Sequence, residues 1–204
     1  MNNLRSLLDS RYSEIRELIE RLCSDEKQSL GYNSTIPTLK ATLFLLYYNL
    51  IESIIYSTFE MLFDEVSTNC SDFLHLAKPV QKQFKKYDRE NRISEKDLLQ
   101  LDLSRYSGKV TLFSGNLDAR AIRTLLHNWG IAEDFHAPSE EKLRDIRQYR
   151  NTLAHGERAF KDVGKGYSVR EMEQYGDVVY NYLQQLVDII NIYFNKKQYI
   201  NMKI

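Results

Sequence analysis

Hydrophobic positions recur at three- and four-residue spacing along most of the chain, the period of a helix that buries one face. Leu4, Leu7, Leu8, Ile15, Leu18, Ile19 and Leu22 mark a first helix over 3–23. A polar stretch, 24–35, separates it from a second helix over about 36–66. Pro37 suits the first turn there, because its missing N–H has no partner in that position anyway. This second helix is far more apolar, with Leu39, Leu43, Leu46, Leu50 and Ile54 as a buried stripe. On another face Asn49, Glu52, Tyr56 and Glu60 fall within about 80° of one another. Such a polar stripe is either a solvated edge or the lining of a site.

Residues 67–137 are more polar and shorter-ranged. Ser94 to Asp97 reads as a capping signal for a short helix ending before Gly108, and Lys109 to Phe113 as a short extended piece. Asn116 is placed to cap a helix over 117–129 that Gly130 stops. Strong patterning then returns. Ser139 can cap a helix over 140–155, ended by Gly156, and Ser168-Val-Arg-Glu171 has the form of a capping box. The helix it opens runs to about Lys196. Within it Met172, Tyr175, Val179, Tyr182, Leu186, Ile189 and Tyr193 alternate spacings of three and four, a heptad seam for another helix, inside the subunit or across a dimer. The pattern predicts one all-α domain over 1–204, an antiparallel helical bundle with a polar, partly irregular insertion at 67–137.

Composition narrows the class. With 204 residues, 43% hydrophobic and 27% charged, the chain has the make-up of a globular protein, not of a disordered tail, a collagen-like fibre or a disulfide scaffold. Its 28 basic and 28 acidic side chains cancel, so any anionic partner must be held by a local patch. One such patch is the run Lys78, Lys82, Lys85, Lys86, Arg89 and Arg92, which contains only Asp88 and Glu90 as opposing charges. Phe84 and Tyr87 interleave with it, so it is either a solvated helix face or an RNA track whose rings stack on bases. Cys23 and Cys70 have no CxxC spacing and read as buried free thiols in a reducing cytoplasm, not as a zinc or redox site. The first 22 residues are too charged for the core of a signal peptide, and the most apolar stretch, 41–51, is shorter than the roughly 18 residues of a membrane span. A cytoplasmic protein without a membrane partner is expected.

The chain has no P-loop, GxGxxG, HExxH or GxSxG motif, and His75, His127, His136 and His155 lack paired metal-ligand spacing. No metal and no cofactor is expected. One segment stands out: Arg150-Asn151-Thr-Leu-Ala-His155-Gly156. In random order a chain of this composition would contain R-N-x-x-x-H about 0.02 times, whereas arginine and histidine separated by four to six intervening residues are expected roughly 0.8 times. These residue types suit RNA cleavage without a metal. The ribose 2′-hydroxyl is the nucleophile, so the protein has to move protons and stabilise a phosphorane. Histidine, with an ordinary pKa of about 6.5, suits the first task. The planar fork of arginine suits the second, and asparagine can orient either group.

On a helix Asn151 and His155 lie about 40° apart, with Arg147 on the same stripe, whereas Arg150 and His155 are about 140° apart. Two copies meeting on a two-fold axis would gather two arginines and two histidines, which hints at a homodimeric site. A structural account stays open beside this one. His155 can cap the carbonyls at a helix end, and Arg144, Arg147 and Arg150 can form a solvated face paired with Glu140, Glu141 and Asp145.

The Arg150-Asn151-x-x-x-His155 motif, with Tyr48-Asn-Leu-Ile-Glu52 and Ser114-Gly-Asn-Leu-Asp118, resembles the HEPN superfamily, in particular its small stand-alone prokaryotic nuclease-like members. The resemblance implies a dimerising helical bundle that brings two motifs to a shared cleft. It implies a metal-independent endoribonuclease, a toxin paired with an antitoxin or an effector of phage defence with a partner protein. Carried over by residue, Arg150 stabilises phosphate charge, His155 is the acid/base and Asn151 positions one of them. Arg147, Lys82, Lys85 and Lys86 are the candidate RNA-binding residues. Some related toxins carry a modifiable tyrosine two positions after the histidine; Glu157 stands there here. Other members keep the fold and only bind RNA, nucleotide or a protein, which is the alternative reading.

Overall fold

Each strongly periodic stretch forms a helix. In a computed structural model, residues 3–28, 35–70, 73–91, 116–131 and 140–201 are described. Helix α1 (Asn3–Gln28) runs five residues beyond the expected end, and α2 (Thr35–Asn69) carries Pro37 in its first turn. A short 3-10 turn (Phe73–His75) leads into α3 (Lys78–Asn91), which is followed by α4 (Ala119–Asn128) and α5 (Glu140–Ala154). A five-residue helix α6 (Phe160–Gly164), which the periodicity does not announce, precedes α7 (Val169–Asn195). Among the described residues there is no strand, only one isolated bridge between Leu76 and Ile200. No helix among them is long and apolar enough to cross a membrane. The fold is all-α.

The capping expectations divide. Ser168 accepts from the Glu171 N–H while the Glu171 carboxylate accepts from the Ser168 N–H at 2.7 Å, a complete capping box. Helix α4 is capped by Asp118 and not by Asn116: Asp118 Oδ1 accepts from Ala121 N at 2.8 Å. A carboxylate at that position also meets the positive end of the helix dipole. Gly130 and Gly156 adopt φ of 75° and 69°, the left-handed conformation that ends α4 and α5 as expected. The expected elements at Ser94–Asp97 and Lys109–Phe113, and the Ser139 cap, lie outside the described residues.

Side-chain ties fix the helix directions. Arg5 meets Asp188 at 2.5 Å, and Tyr12 stacks on Tyr180 with ring centroids 4.4 Å apart, so α1 and α7 run antiparallel. Tyr47 near the middle of α2 donates to the Met172 carbonyl at 2.6 Å, while Glu65 near its end accepts from Tyr199 at 2.9 Å, so α2 and α7 run parallel. Every position of the α7 seam is buried in this one chain except Ile189, which is half-buried. The seam is internal packing. Within 67–137, Phe73, Leu76, Val80, Phe84, Ile122 and Trp129 belong to the same core as α1, α2 and α7. Neither cysteine is in a disulfide; Cys70 is buried as expected, whereas Cys23 is only half-buried.

Candidate active site

The motif occupies the last turn of α5, the helix whose Leu143, Ile146 and Leu153 face the core. Gly156 donates to the Leu153 carbonyl at 3.2 Å and Glu157 to that of Thr152 at 3.0 Å. This pair of bonds satisfies the last carbonyls and makes His155 the cap residue. The His155 side chain is exposed, and among the described residues no hydrogen bond or ion pair engages its imidazole. It does not cap carbonyls with its side chain.

Arg150 points the other way, into α2. Its guanidinium carbon lies 4.5 Å above the Tyr48 ring, and Nη2 is 3.9 Å from Glu52 Oε1. Nη1 donates to Asn151 Oδ1 at 2.9 Å, and Asn151 Nδ2 donates to Asn116 Oδ1 at 2.8 Å. The Tyr48 hydroxyl oxygen accepts from the buried Leu117 N–H at 3.0 Å. Burial pushes the Tyr48 hydroxyl up to about 12; the Leu117 N–H opposes this and the Glu52 carboxylate adds to it. Tyr48 therefore stays neutral, with its ring free to face the arginine.

Arg147, one turn earlier, pairs with Asp118 at 2.5 Å. The three arginines of α5 thus part company. Arg144 alone reaches toward a carboxylate of its own helix, Glu141 at 4.0 Å, while Asp145 accepts from Tyr175 at 3.1 Å. The structure joins Arg150 to Asn151, places Arg147 on a different partner and leaves His155 at the solvent-facing helix end. Lys82, Lys85 and Lys86 are exposed on α3, a helix that packs on α4. Phe84 is fully buried and makes edge contacts with Phe63 and Trp129 at 5.8 and 5.7 Å, so it is not a base-stacking ring. The side chains of Tyr87 and Arg89, and all of Arg92, lie outside the described residues.

A cleft of about 960 Å³ opens between α4 and α5 beside the Asn116–Asn151 bond, lined among others by Arg120, Arg144, Arg147, Asp118, Thr124 and Asn128. Of the polar stripe on α2, Glu52 lines the site, whereas Asn49, Tyr56 and Glu60 are a solvated edge. Tyr48, Glu52, Asn116 and Asp118 are the residues that motif reasoning did not assign. Their signal was the pair of phrases that contain them, and the packing joins Tyr48 to Leu117 and, through Arg150 and Asn151, Glu52 to Asn116. Among the described residues no three His, Cys, Asp or Glu side chains gather as a metal-binding set.

Comparison with protein families matches residues 1–199 to a model described as HEPN_MAE_28990-like HEPN. No curated protein and no solved structure matches the chain.

Proposed function

The chain belongs to the HEPN_MAE_28990-like HEPN family, and from that premise we propose that it is a metal-independent endoribonuclease. The observation that carries this reading is the motif's arrangement: an exposed His155 at the end of α5 and, five residues earlier on the same helix, an Arg150 oriented by Tyr48, Glu52 and Asn151. In the reaction the ribose O2′ attacks its own phosphorus and the P–O5′ bond breaks. One proton leaves the 2′-hydroxyl and one reaches the departing O5′, and His155 is the group to move them. Arg150 offsets the charge that builds on the phosphorane. Asn151 spans Arg150 and Asn116, which suits it to position the arginine and not the imidazole.

Arg147, Lys82, Lys85 and Lys86 hold the RNA backbone in this reading, Arg147 by exchanging Asp118 for phosphate. A homodimer would bring a second Arg150 and His155 to the site. A toxin or phage-defence effector in the cytoplasm, restrained or triggered by a partner protein, is the biological setting proposed.

The test incubates purified protein with end-labelled cellular RNA in EDTA, beside His155→Ala and Arg150→Ala. The expected result is cutting by the parent that leaves 2′,3′-cyclic phosphate ends, reduced by about 100-fold or more in His155→Ala. Strict dependence on a divalent metal, or equal cutting by His155→Ala, overturns it. RNA binding without cutting by the parent would favour the non-catalytic binding module.

A further inference from the structure

We infer that the lysines of α3 and of the turn after α7 form one track for the phosphates of the RNA strand that flanks the cut, an inference that rests on the ribonuclease reading. On α3, Lys78, Lys82, Lys85 and Lys86 fall within about 100° of arc. All four are exposed, because Val80 and Phe84 carry the opposite face into the core. Two lysines distant in sequence join them. Helix α7 ends at Lys196, and Lys197 takes a φ of 47°, which turns the chain back. The returning segment is pinned to the start of α3: Ala77 N donates to the Tyr199 carbonyl at 2.8 Å and Asn201 N to that of His75 at 2.7 Å. The result is a second cleft, of about 400 Å³, with Lys78, Lys196 and Lys197 on its walls.

Among the described residues none of the six lysines makes an ion pair; Lys85 lies instead over the Phe73 ring at 5.6 Å. Like charges gathered with no ion-paired acid among the described residues repel one another, and a polyanion relieves that repulsion. The direction of the track favours RNA as that polyanion. The larger cleft follows the exposed side of α4 from Asn116, the partner of Asn151, to Asn128. Its far end meets α3 through the buried contact of Trp129 with Phe84, on the side of α3 opposite the lysines. Ten residues of α4 rise about 15 Å, and α3 packs against that helix. In this inference a strand cut at the motif passes the cleft's arginines and its Asp118, Glu140 and Glu141, then bends around α3 to reach the lysines.

The test measures binding of a fluorescent single-stranded RNA to the His155→Ala protein, with and without Lys78→Gln, Lys196→Gln and Lys197→Gln together. Removing three phosphate contacts should make the slope of log affinity against log salt shallower by about 2. With His155 present, the same three substitutions should raise KM for long RNA and leave kcat near the parent value. An unchanged affinity and salt slope, or a fall in kcat alone, overturns the inference. Lysine-dependent capture by anionic vesicles with lysine-independent RNA binding overturns it too. RNA binding that needs the lysines supports it whether or not the parent protein cuts, which keeps its failure distinct from that of the ribonuclease reading.

Discussion

The guanidinium of Arg150 lies over a phenol ring, and that contact decides where the charge points. A ring face attracts a cation by about 1 kcal/mol at a partly exposed site. Tyr48→Leu removes the ring and should slow RNA cutting about fivefold, the factor that about 1 kcal/mol gives. Tyr48→Phe keeps the ring and loses the acceptor for the Leu117 N–H. It should cut near the parent rate while losing about 1–3 kcal/mol of stability, the effect of leaving a buried donor unsatisfied. Cutting rates in EDTA beside urea midpoints separate the two variants; equal slowing by both would mean that the ring does not place the arginine. The motif was legible in the sequence because its residues are contiguous. The groups that hold it were not, because Tyr48, Glu52 and Asn116 reach Arg150 and Asn151 from other elements, and only packing brings them there.

At the scale of elements, the long helices were legible because each presents a continuous apolar stripe, and the Ser168 box and Gly156 stop because their chemistry is local. The N-cap of α4 moved by two residues because Asn116 and Asp118 are both good caps, and Asn116 is drawn to Asn151. Helix α6 escaped notice for a different reason: five residues are too few to show a period. What holds α6 is close approach. A Cβ on Gly164 would overlap the Pro37 carbonyl oxygen, so only glycine lets α6 lie against the first turn of α2. Nearby, the buried Lys40 donates to the Tyr167 carbonyl at 2.5 Å. Gly164→Ala must push two backbone segments apart and should destabilise by about 1–3 kcal/mol or more, as overpacking does. Gly166→Ala, whose Cβ would make an ordinary contact with the Val163 carbonyl, is the matched control and should unfold close to the parent. Thermal midpoints of the pair check this; a Gly164→Ala protein as stable as the control would show that α6 can shift freely.

For the whole molecule, the α7 seam is used up inside the subunit, so the homodimer proposed above needs another face, and the exposed end of α5 is the one that would bring two His155 side chains together. The same interior packing makes an alkaline prediction, because nine of the 14 tyrosines have hydroxyls held above their ordinary value. Burial is the first cause in each. It pushes Tyr48, Tyr175 and Tyr199 up to about 12, and Tyr12, Tyr47, Tyr167, Tyr182 and Tyr193 upward as well. A neutral acid whose folded pKa is raised keeps its proton in the native chain after the unfolded chain has lost it. The stabilisation is therefore complete below the ordinary value of 10.0 and is lost as pH rises through the folded values. Between pH 10 and about 12 each of Tyr48, Tyr175 and Tyr199 should remove roughly 1 kcal/mol per pH unit. Urea midpoints should accordingly fall steeply above pH 10 without a matching loss between pH 8 and 9. Most of the tyrosinate absorbance should accordingly appear well above pH 10, because the folded bundle keeps these hydroxyls protonated past their ordinary value. Full ionisation near pH 10 with the helices intact would show that the hydroxyls reach water in the folded state.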